Sequence, residues 1–365
     1  MRVLYRLSVL LVSLFVVAGC GGTTETASPA GAATPDDADA VKALESLATE
    51  LKKDGDGFIT EVNFRDATID DSALEHLTGL RRVRSVLLNG TTITDDGLAA
   101  VGKVTSLRNV DLRDCKISNA GITHLTGLSD LAALRLSGKS DAATVDDEAL
   151  ADIAKLTKLR ALALDFLWVS EDGLAKLSDL KILEELYLAK TLVGDDAMAL
   201  LEQFPKLKKL RVAQTQVSNE GFAHLTKLTQ LEDLDISECS LVSDDGLQHI
   251  GKMTQLKRLN LWRDAITDLG VEHLAPLTDL QWLNLDNTQV SDAGLTFIKG
   301  MDKLEFLHLG STPVTDAGLA HLESLKSLKD LNVSRTGATE AGAAKLNEKL
   351  PTTKIQLAYL GDDSQ

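Results

Sequence analysis

A 24-residue period runs through this chain from residue 58 onward, and it limits the possible folds more than any other feature. Leu207, Leu210, Val212, Thr215 and Val217 are spaced as LxxLxLxxTxV, and Leu280, Leu283, Leu285, Thr288 and Val290 repeat that spacing. The leading apolar residue recurs at 83, 107, 131, 159, 183, 207, 231, 256, 280, 304 and 328; the interval is 24 except for 28 after Leu131 and 25 after Leu231. A degenerate first unit built on Val62, Phe64 and Ile69 brings the array to about twelve. A unit this short cannot bury an apolar face alone, so successive units must stack into a continuous core.

Each unit contains two periods. In xLxLx the leucines alternate, which buries one face of a short strand and leaves the other open. The second half, as in Thr315 to Leu325, spaces apolar residues for a short helix with one buried face, opened by Ser or Thr and followed by an acid. Glycine recurs in that helix at 97, 121, 173, 221, 246, 270, 294, 318 and 342, replaced only by Ala73, Ala149 and Ala197. Glycine there costs about 1 kcal/mol against alanine, so the position must face a close neighbour. The turn after the strand carries Thr91, Cys115, Thr191, Thr215, Cys239, Thr288, Thr312 and Thr336. Cys115 and Cys239 lie five units apart, about 25 Å at the strand spacing, beyond disulfide reach. Both are expected to be buried, reduced and inert.

With its T-x-V-T-D-x-G-L signature, the segment 58–350 resembles the leucine-rich repeat family, in the bacterial 24-residue variety abundant in planctomycete-type lipoproteins. The resemblance implies an α/β solenoid, a horseshoe with a parallel β-sheet on its concave side and short helices on its convex side. It further implies a recognition scaffold for a protein or peptide ligand, with no catalysis, cofactor or metal, and a monomer. The variety is related to the cysteine-containing repeats of F-box proteins. No F-box helices precede the array here, so a role in ubiquitin ligation does not carry over.

The start of the chain reads as an address. Arg2 and Arg6 precede an apolar run, Leu7 to Ala18, too short to span about 30 Å of hydrocarbon. Val17-Ala18-Gly19-Cys20 resembles the bacterial lipobox, which implies that residues 1–19 are a signal peptide and that Cys20 becomes a lipidated N-terminus. Residues 20–37, rich in Gly, Thr, Ser, Ala and Pro, follow as a flexible tether. An exported protein anchored in the cell envelope by its lipid alone is expected, and Gly21 favours the outer membrane or cell surface. Residues 38–57 form an N-terminal cap, with Val41, Leu44, Leu47 and Leu51 at helical spacing over 38–53. At the far end, 351–365 supplies a closing strand at Ile355 to Leu357 and a polar tail.

Three groups of residues imitate active chemistry. Asp54 to Thr60 looks like the middle of an EF-hand loop, but Lys52 and Asn63 occupy its two end-ligand positions. His76, His124, His224, His249, His273 and His321 recur at one helix position, as repeat inheritance requires, and lack the convergence zinc needs. Asp286, His308 and Ser334 fall on successive strands, yet at diagonal separations of about 8 Å and with no accompanying oxyanion hole. The net charge of −16 argues against nucleic acid, which selects clustered cations.

The informative residues flank the strand leucines and so face outward. They are Arg258, Asn260 and Trp262 in one unit, Trp282, Asn284 and Asp286 in the next, then Phe306 and His308. Phe166, Trp168 and Tyr187 form a secondary candidate patch beside the extra residues near 138–144. A leucine solenoid has no packing reason to display tryptophan on its open face, whereas exposed aromatics beside Arg and His typify binding hot spots. The preferred expectation is protein or peptide recognition; the alternative is a cell-wall glycan, since Trp with Asn and Asp also suits sugar faces.

Overall fold

The strand segments stack in chain order into one open 14-stranded sheet. Thirteen of them, from Ile59–Asn63 to Lys354–Gln356, pair parallel to their neighbours. The computed structural model describes residues 34–358. The expected signal peptide, Cys20 and most of the expected 20–37 tether lie outside the described residues, as does the polar tail from 359. Between strands run short α- and 3₁₀-helices such as Asp268–Leu274, so the layers are sheet and helix around a leucine core. Leu280, Leu283, Leu285, Val290, Leu295 and Ile298 of one repeat are all fully buried, as the two periods require. Burying each such side chain contributes about 1.5–3 kcal/mol, and the repeats merge into one core.

The glycine column faces a carboxylate. At eight junctions the first-turn aspartate of one repeat accepts both the backbone N–H and the hydroxyl of the Ser or Thr that caps the next helix. A Cβ on the following glycine would lie 2.5 Å from that carboxylate at Gly221 and 2.3 Å at Gly318. Two junctions vary all three positions together. At the first, Asn119 replaces the aspartate, Asp146 the capping hydroxyl and Ala149 the glycine, and the Asn119 amide pairs with Asp146. The second lies at residues 171–197. Glu171 replaces the aspartate, Gly194 the capping hydroxyl and Ala197 the glycine; the longer acid bonds Gly194 N–H at 2.6 Å. The turn column is buried as expected. Thr288 and Thr312 donate to the carbonyl three residues back, and Cys115 and Cys239 to a carbonyl of the preceding repeat at 3.1 and 3.2 Å.

The N-terminal cap departs from the continuous helix expected over 38–53. The helix spans Ala38–Leu47, and Glu50–Lys53 is a strand antiparallel to Ile59–Asn63. The spacing of Leu51 fits either structure; the open edge of the sheet decides, because its unpaired backbone groups need a partner. Exposed Glu50, Lys52 and Lys53 then keep that new edge charged. The EF-hand imitation is the hairpin turn between these strands. Its carboxylates are occupied: Asp54 accepts from the backbone of Asp56 and Phe58, and Arg82 binds Asp54 at 2.8 Å and Asp56 at 2.7 Å. At the other end Lys354–Gln356 closes the sheet on Asp330–Asn332.

Candidate recognition surface

Side chains two apart on each strand leave the sheet on its open face. Along that face Glu61, Asp111, Asp165, Glu185, Asp233, Asp235, Asp286 and Asp330 are met by Arg65, Arg113, Arg135, Lys209, Arg211, Arg258 and Lys354. Eight acids against seven cations leave the wall nearly neutral, so the chain's −16 is carried elsewhere. Cross-strand pairs use these charges: Lys209 with Glu185 at 2.9 Å, and Arg211 between Asp165 at 3.3 Å and Asp235 at 3.2 Å.

Toward the C-terminal half the ladder gives way to aromatic rings. Arg258 sits 3.3 Å from Asp233 and lays its guanidinium over the Trp282 ring, 4.4 Å from the centroid. Trp282 leans on His308 with centroids 5.6 Å apart and planes at 56°. His308 Nδ1 lies 3.9 Å from Asp286 Oδ2, and Asp286 also accepts from the Gly310 N–H and from Asn332 Nδ2. Phe306 stands in register beside Trp282. Asp233, Arg258, Trp282, His308 and Asp286 are thus one contact chain across four strands. Burial pushes the carboxyls of Asp233 and Asp286 above their ordinary values, against the pull of Arg258 on the first and of Gly310 N–H and His308 on the second. Cation–π contact and ring packing hold the exposed surface in one arrangement, which lowers the ordering cost of binding.

The structure divides the predicted set. Asn260 and Asn284 use their side-chain oxygens on the backbone N–H two residues later, at Trp262 and Asp286, and so shape the strand ends. Trp262 does not join the Trp282 stack. Covered by Arg263 at 5.3 Å, it lines a separate cleft of about 380 Å³ with Asp286, Asn332 and Ser334 over Gly310. The Asp286 carboxylate comes within 3.9 Å of His308 Nδ1, closer than the strand diagonal of about 8 Å, because side chains on a diagonal can lean toward each other; Asp286 Oδ1 also lies 3.0 Å from where a Gly310 Cβ would stand. Among the described residues no three His, Cys, Asp or Glu side chains converge to hold a metal.

Of the secondary patch, Phe166 and Trp168 share a cleft of about 470 Å³ with Lys139, Asp141, Lys190 and Leu192. Tyr187 does not belong to it. Its strand position places it on the charged wall, where it donates to Glu185 at 3.0 Å, and burial raises its pKa. Lys190 and Leu192 were not singled out from sequence, although each lies 24 residues after a residue that was, Phe166 and Trp168. Asp264 also escaped notice. It occupies the buried turn column of threonines and cysteines, accepts from Cys239 N–H at 2.9 Å, and leaves Oδ2 without a partner. Burial pushes its carboxyl up to about 8.

Residues 215–350 match the family model described as a leucine-rich repeat region. Among solved structures, an internalin (inlF) from Listeria monocytogenes aligns at 20% identity and a TM-score of 0.58, covering 88% of this chain and 94% of that one. A TDR receptor aligns at 16% identity and a TM-score of 0.50 over 81% of this chain, which spans 59% of that receptor's chain. These likenesses establish the fold. No curated protein matches the sequence.

Proposed function

Because the chain is a leucine-rich repeat protein, we propose that its concave wall captures a peptide or protein segment at the Arg258–Trp282–Phe306–His308 surface. The Arg258–Trp282–His308 stack carries this reading. It places a large aromatic area on the open side of a core that is already complete without it. Arg and Trp are over-represented among residues that dominate binding energy. The flanking carboxylates of Asp233 and Asp286, raised by burial, are desolvated, and a donor-bearing ligand would stabilise their ionised forms. The role assigned is binding rather than catalysis, and the monomer is taken as the working unit.

The same proposal places the solenoid at the bacterial envelope, exported by residues 1–19 and lipid-anchored through Cys20, with the outer membrane or cell surface favoured. The Val17 to Cys20 tetrapeptide supports this placement. Incorporation of labelled palmitate into the wild-type chain but not Cys20→Ser, in a bacterial host, tests the tether.

For the wall, a random peptide display library is selected on the full chain and on Arg258→Ala/Trp282→Ala. Families enriched on the wild type and lost on the variant support the reading; equal enrichment on both removes it. The cleft over Gly310, with Trp262 beside Asp286, Asn332 and Ser334, keeps a glycan ligand as the second reading. Retention on a glycan array that Trp262→Ala abolishes would favour it.

A further inference from the structure

The lengthened repeat after Leu131 builds a feature that the concave wall does not use. Gly138 N–H donates to Asp165 O at 3.0 Å, the ladder bond that other repeats also make at this position, and Asp141 N–H closes a turn on Gly138 O at 2.9 Å. A Cβ at Gly138 would come 2.2 Å from Phe166 O, so only glycine permits this approach. The resulting loop walls the cleft of about 470 Å³ that holds Phe166, Trp168 and Leu192, a volume typical of ligand sites. Trp168 is 65% exposed and Leu192 52%, and they occupy the same position in successive repeats.

Phe166 supplies the independent observation. Its φ is +62°, in the left-handed region, where a non-glycine residue costs about 1–2 kcal/mol. The equivalent left-handed position elsewhere holds Asp66, Gly90, Asp114, Lys190, Gln214, Glu238, Arg263, Asn287, Ser311 or Arg335, glycine or polar in each case. The fold asks only for that backbone conformation, and a bulky ring is poorly suited to it. A strained aromatic facing an open cleft is strain retained at a point of contact.

Charge specifies the occupant. Lys139 and Lys190 stand at the rim, and the Lys190 ammonium lies 5.5 Å from the Phe166 centroid. Among the described residues neither Lys139 nor Lys190 has a carboxylate ion-pair partner, as is also true of Lys116 and Lys176, so both ammoniums at the cleft are available to a ligand. We propose that this cleft is a second recognition site, for a peptide segment in which an aromatic or aliphatic side chain is flanked by carboxylates. The ring-lined floor takes the apolar group and the two ammoniums take the acids. Asp141 in the lining opposes a concentrated multiple charge such as a phosphate.

Two fluorescein-labelled octapeptide pools test this by anisotropy with the full chain: a central Phe or Leu flanked by Glu, and the same with Lys for Glu. The Glu pool should bind, weakening at least tenfold in Trp168→Ala and in Lys190→Glu, while Leu269→Ala, at an exposed apolar side chain on the helix Asp268–Leu274, leaves it unchanged. Both substitutions at the cleft are on exposed side chains, and an unaltered circular-dichroism melt confirms folding. Equal binding of the Lys pool, no binding of the Glu pool, or binding indifferent to both substitutions would overturn the proposal. So would self-association in the ultracentrifuge abolished by Trp168→Ala, which would make a second copy the occupant.

Discussion

Asp195 reaches across a repeat boundary to Ser218, its two oxygens taking the Ser218 backbone N–H at 2.7 Å and hydroxyl at 2.6 Å. The same hydroxyl accepts from Glu220 N–H at 3.3 Å, so one aspartate both orients a helix cap and ties two repeats together. Gly221 completes the unit, since its missing Cβ leaves the 2.5 Å space that the carboxylate occupies.

The trio should therefore be non-additive. Asp195→Ala forfeits two hydrogen bonds to a charged acceptor and should cost about 2–4 kcal/mol. Gly221→Ala should also destabilise, despite alanine's better helix propensity. In the Asp195→Ala background the next contact is the flexible Met198 side chain at 3.1 Å, which can give way. The glycine substitution there should become neutral or gain up to about 1 kcal/mol. Urea denaturation of the four chains measures this; simple additivity would mean that the carboxylate is not what the glycine accommodates.

Most of the architecture was legible because one structural unit is written many times. The leucine spacing gave strand, helix and stacking direction, and the glycine column announced a close neighbour. The neighbour's identity stayed hidden, because first-turn acids read equally well as partners of the helix dipole. Glu171, Gly194 and Ala197 changing together, and Asn119, Asp146 and Ala149 likewise, are the available signal. The cap was misread for a related reason: Leu51 fits a helix or an edge strand, and only the exposed sheet edge chooses.

Asp264 makes stability depend on pH. Its folded pKa, about 8, lies above the unfolded carboxyl's value near 4, so its favourable contribution is complete below pH 4. The contribution is lost as the pH rises toward 8, where the unfolded chain is ionised and the buried group resists ionisation. Asp264→Asn keeps an acceptor for Cys239 N–H and removes the titration. It should change stability little at pH 4 and raise it by about 2–5 kcal/mol at pH 8, as read from guanidinium midpoints. A variant whose stability runs parallel to wild type from pH 4 to 8 would contradict this assignment.

The two buried thiols should be silent. Burial pushes both Cys115 and Cys239 up to about 11, so the reactive thiolate is scarce at neutral pH. Iodoacetamide treatment of the native chain, followed by peptide mass spectrometry, should leave both unmodified; 6 M guanidinium should expose both. Rapid native labelling of either would show that its repeat opens locally.

The candidate surfaces were less legible than the fold. Strand alternation correctly sent Trp262, Trp282 and His308 outward, but exposure alone does not say which rings touch. The Arg258–Trp282–His308 stack and the separation of Trp262 depend on side-chain lean, which strand alternation does not specify. Tyr187 belongs to the wall by its strand position and not to the cleft of Phe166 and Trp168.

Phe166 offers a test in which stability and recognition move in opposite directions. Asparagine tolerates the left-handed conformation far better, as Asn287 does at the same position of another repeat. Phe166→Asn should therefore stabilise the chain by about 1 kcal/mol, raising its melting temperature by a degree or more. It should also remove the apolar floor of the side cleft and lower affinity for Glu-flanked aromatic peptides at least tenfold. Calorimetry and anisotropy on the same preparation read both. A variant that gains stability and still binds would show the ring to be incidental. One that loses both would show that Phe166 is packed for the fold, and its left-handed backbone would then be a cost of folding alone.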